Sequence, residues 1–307
     1  MCIRDSLHIS QGWLDSSVCF GEPGLEERET IENGSLTACL SGFTDIILNS
    51  NTLPVIDSKA DVIYVKSKNK NKALKIHPLG ALTVKSEGSE MAELHEMFDS
   101  GAVGFYDYKT SVKNPNLLKT ALQYVQHFDG LIMTFPFEKS ICQNGQMNEG
   151  EISTLYGLEG IPSLSEEITL ERDLKILEYT GGKLFIPTIS TTKSVELIKN
   201  AKRKGLQIMT SVSINNIFFN EEKLINFDTR FKILPPLRSE EDRLILVNAL
   251  SEGIIDFCTS DHCPIDIDNK KTDFKNSLFG ATGLESVFGA LNSCLLYTSP
   301  SPRDTIR

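Results

Sequence analysis

The sequence predicts an α/β fold, a (β/α)8 TIM barrel, and three observations carry that expectation. Eight short apolar, strand-like runs recur along the chain, each followed by a helix-favouring segment or a loop. One run, residues 255–259, leads straight into Ser260-Asp261-His262 and stops at Pro264. That pattern reads as a buried parallel strand delivering polar groups at its carboxyl end, where barrels of this kind carry their chemistry. The 307 residues suit one large domain of this type, and they show no internal repeat or low-complexity tract.

Taken in order, residues 13–19 read as extended, 25–40 as a helix, 45–48 as a strand and 59–68 as a helix. A strand at 74–82, a helix at 90–100 and a short strand at 103–106 follow. The helix at 117–128 precedes the apolar strand 131–135, and residues 138–160, rich in Gly and Asn, read as an insertion. The alternation then resumes with a helix at 166–179, a strand at 184–189, a helix at 192–204 and a strand at 207–212. The segment 239–253 has acids in its first turn (Glu240, Glu241, Asp242), apolar residues at helical spacing (Leu244, Val247, Leu250) and Gly253 to close it.

A hydrophobic content of 40% supports a packed core, and a net charge of −10 argues against binding nucleic acid or an anionic membrane surface. No apolar run approaches membrane-spanning length. The cysteines are scattered without a Cys-x-x-Cys pair, which fits a reducing cytoplasm better than a disulfide framework. Both ends break the pattern: residues 1–6 and 294–307 resemble translated adapter sequence from library preparation. The natural barrel is therefore expected over about residues 7–293, truncated on both sides.

A set of landmarks appears in order along this span. They include Gly12-Trp13-Leu14-Asp15, Glu22-Pro23-Gly24, Asn51-Thr52-Leu53-Pro54, Met147-Asn148-Glu149-Gly150, Pro235-Pro236-Leu237-Arg238 and Phe279-Gly280-Ala281-Thr282-Gly283. With these the chain resembles the dihydroorotases of the metal-dependent amidohydrolase superfamily. The resemblance implies a barrel of the amidohydrolase type, flanked by a small β-sandwich built from both chain ends and largely missing here. It also implies the family's reaction, reversible ring closure of N-carbamoyl-aspartate to dihydroorotate in pyrimidine biosynthesis.

The family's first strand ends in Asp-x-His-x-His, and its two imidazoles bind the metal. The same positions here read Asp15-Ser16-Ser17-Val18-Cys19, and the arginine expected two residues later is Gly21. Histidines expected after later strands fall at Phe135 and Thr188, a His-His pair reads Asn215-Asn216, and a substrate-contacting histidine reads Ile265. Paired acids near strand four survive only as Asp107 beside Tyr108. Retained are Asp261, matching the family's metal ligand and general base, and Asn51, Phe279 and Gly280 at expected substrate contacts. Of the five histidines only His262 falls at the catalytic end of a strand.

Two function classes follow. In the leading one the protein has lost metal-dependent hydrolysis, needs no cofactor, and serves as a structural or regulatory homologue. Non-catalytic members of the family assemble with aspartate carbamoyltransferase, which becomes the expected partner, and an oligomer is expected. In the alternative it is an active, divergent cyclic amidohydrolase converting dihydroorotate to N-carbamoyl-aspartate, metal-free or with zinc held by Cys19, Cys258 and Cys263 with Asp261. A decaying gene product would also lose ligands, but it fits the intact loops less well. Ser17, Cys19, Asn51, Asp107, Thr188 and Asp261 are expected around the barrel mouth, Asp15 as a strand-end acceptor, and Arg238 capping or pairing locally at a helix start.

Overall fold

Small and β-favouring residues in β1 (Trp13–Val18) and β2 (Phe43–Leu48) let the two strands lie side by side in parallel, and β3 (Lys75–Pro78) extends the sheet. A second parallel run joins β4 (Phe105–Tyr106) to β5 (Ile132–Met133), as this computed structural model, which describes residues 10–142 and 144–296, shows. Between β5 and the next barrel strand lies an insertion holding β6 (Met147–Asn148) and β7 (Gly160–Ile161). The run continues through β8 (Leu184–Ile186), β9 (Ile208–Ser213) and β10 (Phe257–Thr259). Parallel bridges from Gly80 to Phe105 and from Val18 to His262 join the two runs, so the eight strands close into the expected barrel.

Helices follow the strands where caps and apolar spacing place them. Helix α1 (Ile31–Leu40) follows β1, α2 (Lys59–Lys68) follows β2, α3 (Leu94–Asp99) follows β3 and α4 (Pro115–Val125) follows β4. In α4 the Asn114 side chain accepts from the Asn116 amide, Pro115 occupies the first turn, and Leu117, Leu118, Ala121, Leu122 and Val125 form the buried stripe. Short α5 (Lys139–Cys142) and α6 (Glu151–Tyr156) belong to the insertion, and α7 (Ser163–Thr180) and α8 (Thr192–Arg203) flank β8. Short α9 (Ile214–Phe218) follows β9, and α10 (Glu240–Ser251) starts on the Ser239 cap. Gly253, with φ of 71°, closes α10 as the sequence predicts. After β10 come α11 (Ile267–Lys270) and α12 (Val287–Leu296).

Two apolar layers result. The larger lies between strands and helices and includes Ile46, Leu48, Leu122, Ile186 and Val212. The smaller fills the barrel with Leu79, Tyr106, Met133, Phe135 and Phe185. Among the described residues no helix is long and apolar enough to cross a membrane.

One expectation needs correction. The helix predicted over 25–40 begins only at Ile31, because Thr30 takes an extended conformation and caps it through the Asn33 amide. The expected insertion carries secondary structure of its own: α5 precedes β6, and α6 links β6 to β7, which pair in parallel. Helix α12 runs across residue 293, which leaves the expected boundary there untested, and residues 1–9 and 297–307 lie outside the described residues.

Candidate functional site at the barrel mouth

Alternation along β1 sends Asp15 and Ser17 to one side of the strand, and Cys19 follows just beyond its end. The Asp15 carboxylate accepts from the Ser17 amide at 3.1 Å, the Ser260 amide at 3.1 Å and the Thr259 hydroxyl. It thus ties β1 to β10, the strand-end role expected of it, and burial pushes its carboxyl above the ordinary range. Ser17 donates to Asp261 at 3.3 Å and accepts from Asn49 Nδ2 at 3.1 Å. That same amide lies 3.4 Å from Cys19 Sγ. Asn49 was not singled out from sequence, although its position just past β2 is the signal that could have found it.

The centre of the mouth is an ion pair. Lys109 Nζ lies 2.8 Å from Asp261 Oδ2, with side chains 12% and 3% exposed. Both residues sit at strand ends in left-handed backbone, with φ of 49° and 50°. Burial raises the Asp261 carboxyl, opposed by the Lys109 ammonium and the Ser17 hydroxyl, while the Asp261 charge offsets burial and raises Lys109. Lys109 was also missed by the sequence reading. Its signal was a cation just after the acid at the carboxyl end of a strand.

Around this pair, Cys19, Cys263 and Tyr108 lie close together, and the Tyr108 hydroxyl is buried with no hydrogen-bond partner. The Cys19 contact and the nearby Lys109 lower the Cys263 thiol to about 6, while burial pushes Cys19 up. Lys109 and Phe279 border a cavity of about 420 Å³ that also takes in Lys113, Lys139 and Gln146. Gly280 packs so closely that a Cβ there would lie 2.6 Å from the Cys263 carbonyl oxygen. Asn51 Oδ1 is buried with no protein partner, as is Thr188 Oγ1.

Other candidates are committed elsewhere. Asp107 does not face Asp261; its carboxylate accepts from the Leu82 and Thr83 amides and the Thr83 hydroxyl, holding the loop after β3. His262 lies at the right end but is locked sideways: Nδ1 accepts from the Gly283 amide at 3.1 Å and Nε2 donates to Glu29 at 2.7 Å. Asn216 donates to the Pro236 carbonyl. Cys258 lines a separate cavity with Trp13 and Phe257 rather than joining Cys19 and Cys263, so the three-thiolate site does not form. Arg238 does not pair locally. It reaches Asn148 and the Ile161 carbonyl at 2.7 Å each and Ser190 at 3.1 Å, pinning the insertion to the barrel.

Comparison with known proteins places this geometry. A family described as "Dihydro-orotase-like" matches residues 8–194. The dihydroorotase of Thermoanaerobacter sp. (strain X514) is 37% identical over 95% of this chain and 68% of that protein. The chain belongs to the dihydro-orotase-like family. The dihydroorotase of Pelotomaculum thermopropionicum is 36% identical over 92% of this chain and 66% of that protein. Among solved structures, the L-hydantoinase (dihydropyrimidinase) of Arthrobacter aurescens has a TM-score of 0.77 at 22% identity, covering 90% of this chain and 64% of that one. A D-hydantoinase (dihydropyrimidinase) from Thermus sp. has a TM-score of 0.74 at 19% identity, covering 94% and 66%. These two likenesses speak to fold, and the chain spans about two thirds of the length of its relatives.

The residues at the mouth do not fit the metal of this superfamily. Among the described residues no three His, Cys, Asp or Glu side chains converge as a metal site. Asp261 faces an ammonium, Asp15 is saturated by donors from β1 and β10, and Phe135 packs inside the barrel. A cation already sits against the Asp261 carboxylate, and a second cation beside it would be repelled.

Proposed function

We propose that this dihydroorotase-like protein no longer performs metal-dependent ring hydrolysis and acts as a structural or regulatory homologue. The observation carrying this reading is the Lys109–Asp261 pair, which ties up the family's general base with a buried ammonium at 2.8 Å. Magnitude favours it: a metal that takes its water from pKa about 15.7 to about 7 supplies on the order of 12 kcal/mol of nucleophile activation. One general base supplies roughly 3–5 kcal/mol. Asp261 held by Lys109 cannot make up that difference.

The cavity bordered by Lys109, Lys113, Lys139 and Phe279 is suited to a small anion with a flat face, which supports weak retained binding of dihydroorotate or N-carbamoyl-aspartate. Aspartate carbamoyltransferase is the partner assigned under this reading, on the strength of the family resemblance. The test is the purified protein's zinc content and dihydroorotate turnover, measured together. Substoichiometric zinc and no turnover above background are expected, with Ser17→His alone restoring neither. Tight stoichiometric zinc with turnover abolished by a chelator would overturn the reading.

A further inference from the structure

Two thiols meet where the barrel closes. Val18 and His262 form the parallel bridge between the first and last strands, and the Cys19 amide donates to the His262 carbonyl at 2.7 Å. Cys19 and Cys263 are therefore the next residues along that seam, side by side on neighbouring strands. Neighbouring strands run about 4.8 Å apart, inside the window of about 4.4–6.8 Å between Cα atoms that a disulfide spans. Neither thiol is already bonded, both are buried, and the Lys109 ammonium stands near them. Lys109 also borders a cavity of about 420 Å³ beside the mouth.

We propose that Cys19 and Cys263 form an oxidisable dithiol that closes to a disulfide across the barrel seam when hydrogen peroxide enters the mouth. One thiolate attacks the peroxide O–O bond, becoming a sulfenic acid as the departing hydroxide takes a proton and leaves as water. The second thiol then attacks the sulfenic sulfur and displaces its hydroxyl group, which leaves as a second water with the remaining thiol proton. The two sulfurs together lose two electrons, and the peroxide gains them. The bond would staple β1 to the segment after β10, closing a very long loop of chain. The bond would form whether or not the mouth turns over a substrate.

The test is oxidation of the purified protein with hydrogen peroxide, quenching with an alkylating reagent, and peptide mapping by mass spectrometry. The expected result is a linked Cys19–Cys263 peptide lighter by two hydrogen atoms, reversed by dithiothreitol and accompanied by a higher melting temperature. Cys19→Ser and Cys263→Ser should each abolish that peptide, whereas Cys39→Ser should leave it intact. If either serine variant does not fold, the map of the unsubstituted protein still decides. Free alkylation of both thiols after peroxide treatment would overturn the proposal. So would dead-end oxidation without linkage, or bridges scattered among Cys39, Cys142 and Cys258.

Discussion

Asp261 and Lys109 show how much one side chain decides at the mouth. A buried carboxylate left without its ammonium costs far more than the pair contributes, because burial withdraws water that nothing replaces. Lys109→Met is expected to destabilise the protein by about 3–5 kcal/mol in urea unfolding, and Lys109→Met with Asp261→Asn to recover most of that loss. Additive losses in the double variant would sink the pairing argument. A second buried acid behaves differently. Asp173 is fully buried in α7, with Arg172 on Oδ1 at 2.8 Å and no partner on Oδ2. Burial raises its carboxyl despite Arg172. The folded chain therefore holds this proton more tightly than the unfolded chain does, so the group's contribution to stability falls as pH rises from the ordinary carboxylate pKa through the raised one. Asp173→Asn is expected to stabilise the protein at pH 7, with the advantage shrinking on acidification. A pH-independent difference would count against this account.

At the scale of elements, Arg238 ties the insertion to the barrel, beside the Asn148–Glu221 and Lys232–Gln146 hydrogen bonds. Arg238 joins Asn148 and the Ile161 carbonyl to Ser190, and Glu166 takes the Ser190 hydroxyl and amide from below. Arg238→Met leaves these acceptors buried without a donor and should cost about 2–4 kcal/mol. Limited proteolysis should then cut first within residues 138–160, and unchanged resistance there would show that the insertion holds itself. The sequence marked Pro235-Pro236-Leu237-Arg238 as a landmark but suggested only local pairing for the arginine. Its partners lie 48 to 90 residues away in the chain, a reach that no local pattern encodes. Caps were far more legible: Ser239, Gly253 and the stretch of α2 could be read directly, because capping and apolar spacing act within a few residues.

The whole molecule closes through its weakest joints. β2 pairs with β3 in unbroken register from Asp45–Lys75 to Leu48–Pro78, whereas the barrel seams rest on the isolated bridges at Gly80–Phe105 and Val18–His262. Native-state hydrogen exchange should find the amides of Gly80, Tyr106 and Cys19 opening before that of Ile46, since fewer ladder bonds must break. Equal protection would mean that packing, not the ladder, sets the barrel's stability.

What the sequence determined by itself was the fold and the addresses within it. Alternating strands and helices made the barrel legible, and residues 255–264 placed Asp261 at a carboxyl end, because periodicity and strand-end chemistry are local properties. Tertiary structure alone decided what Asp261 meets. Lys109 lies 152 residues earlier and Ser17 244 residues earlier, and they reach it only once the barrel closes. The left-handed backbone at Lys109 and Asp261 aims both side chains, and closing the ring puts Cys19 beside Cys263. Neither is written in the spacing of residues, for contacts across a closed sheet depend on register and on dihedral angles that only the assembled barrel fixes.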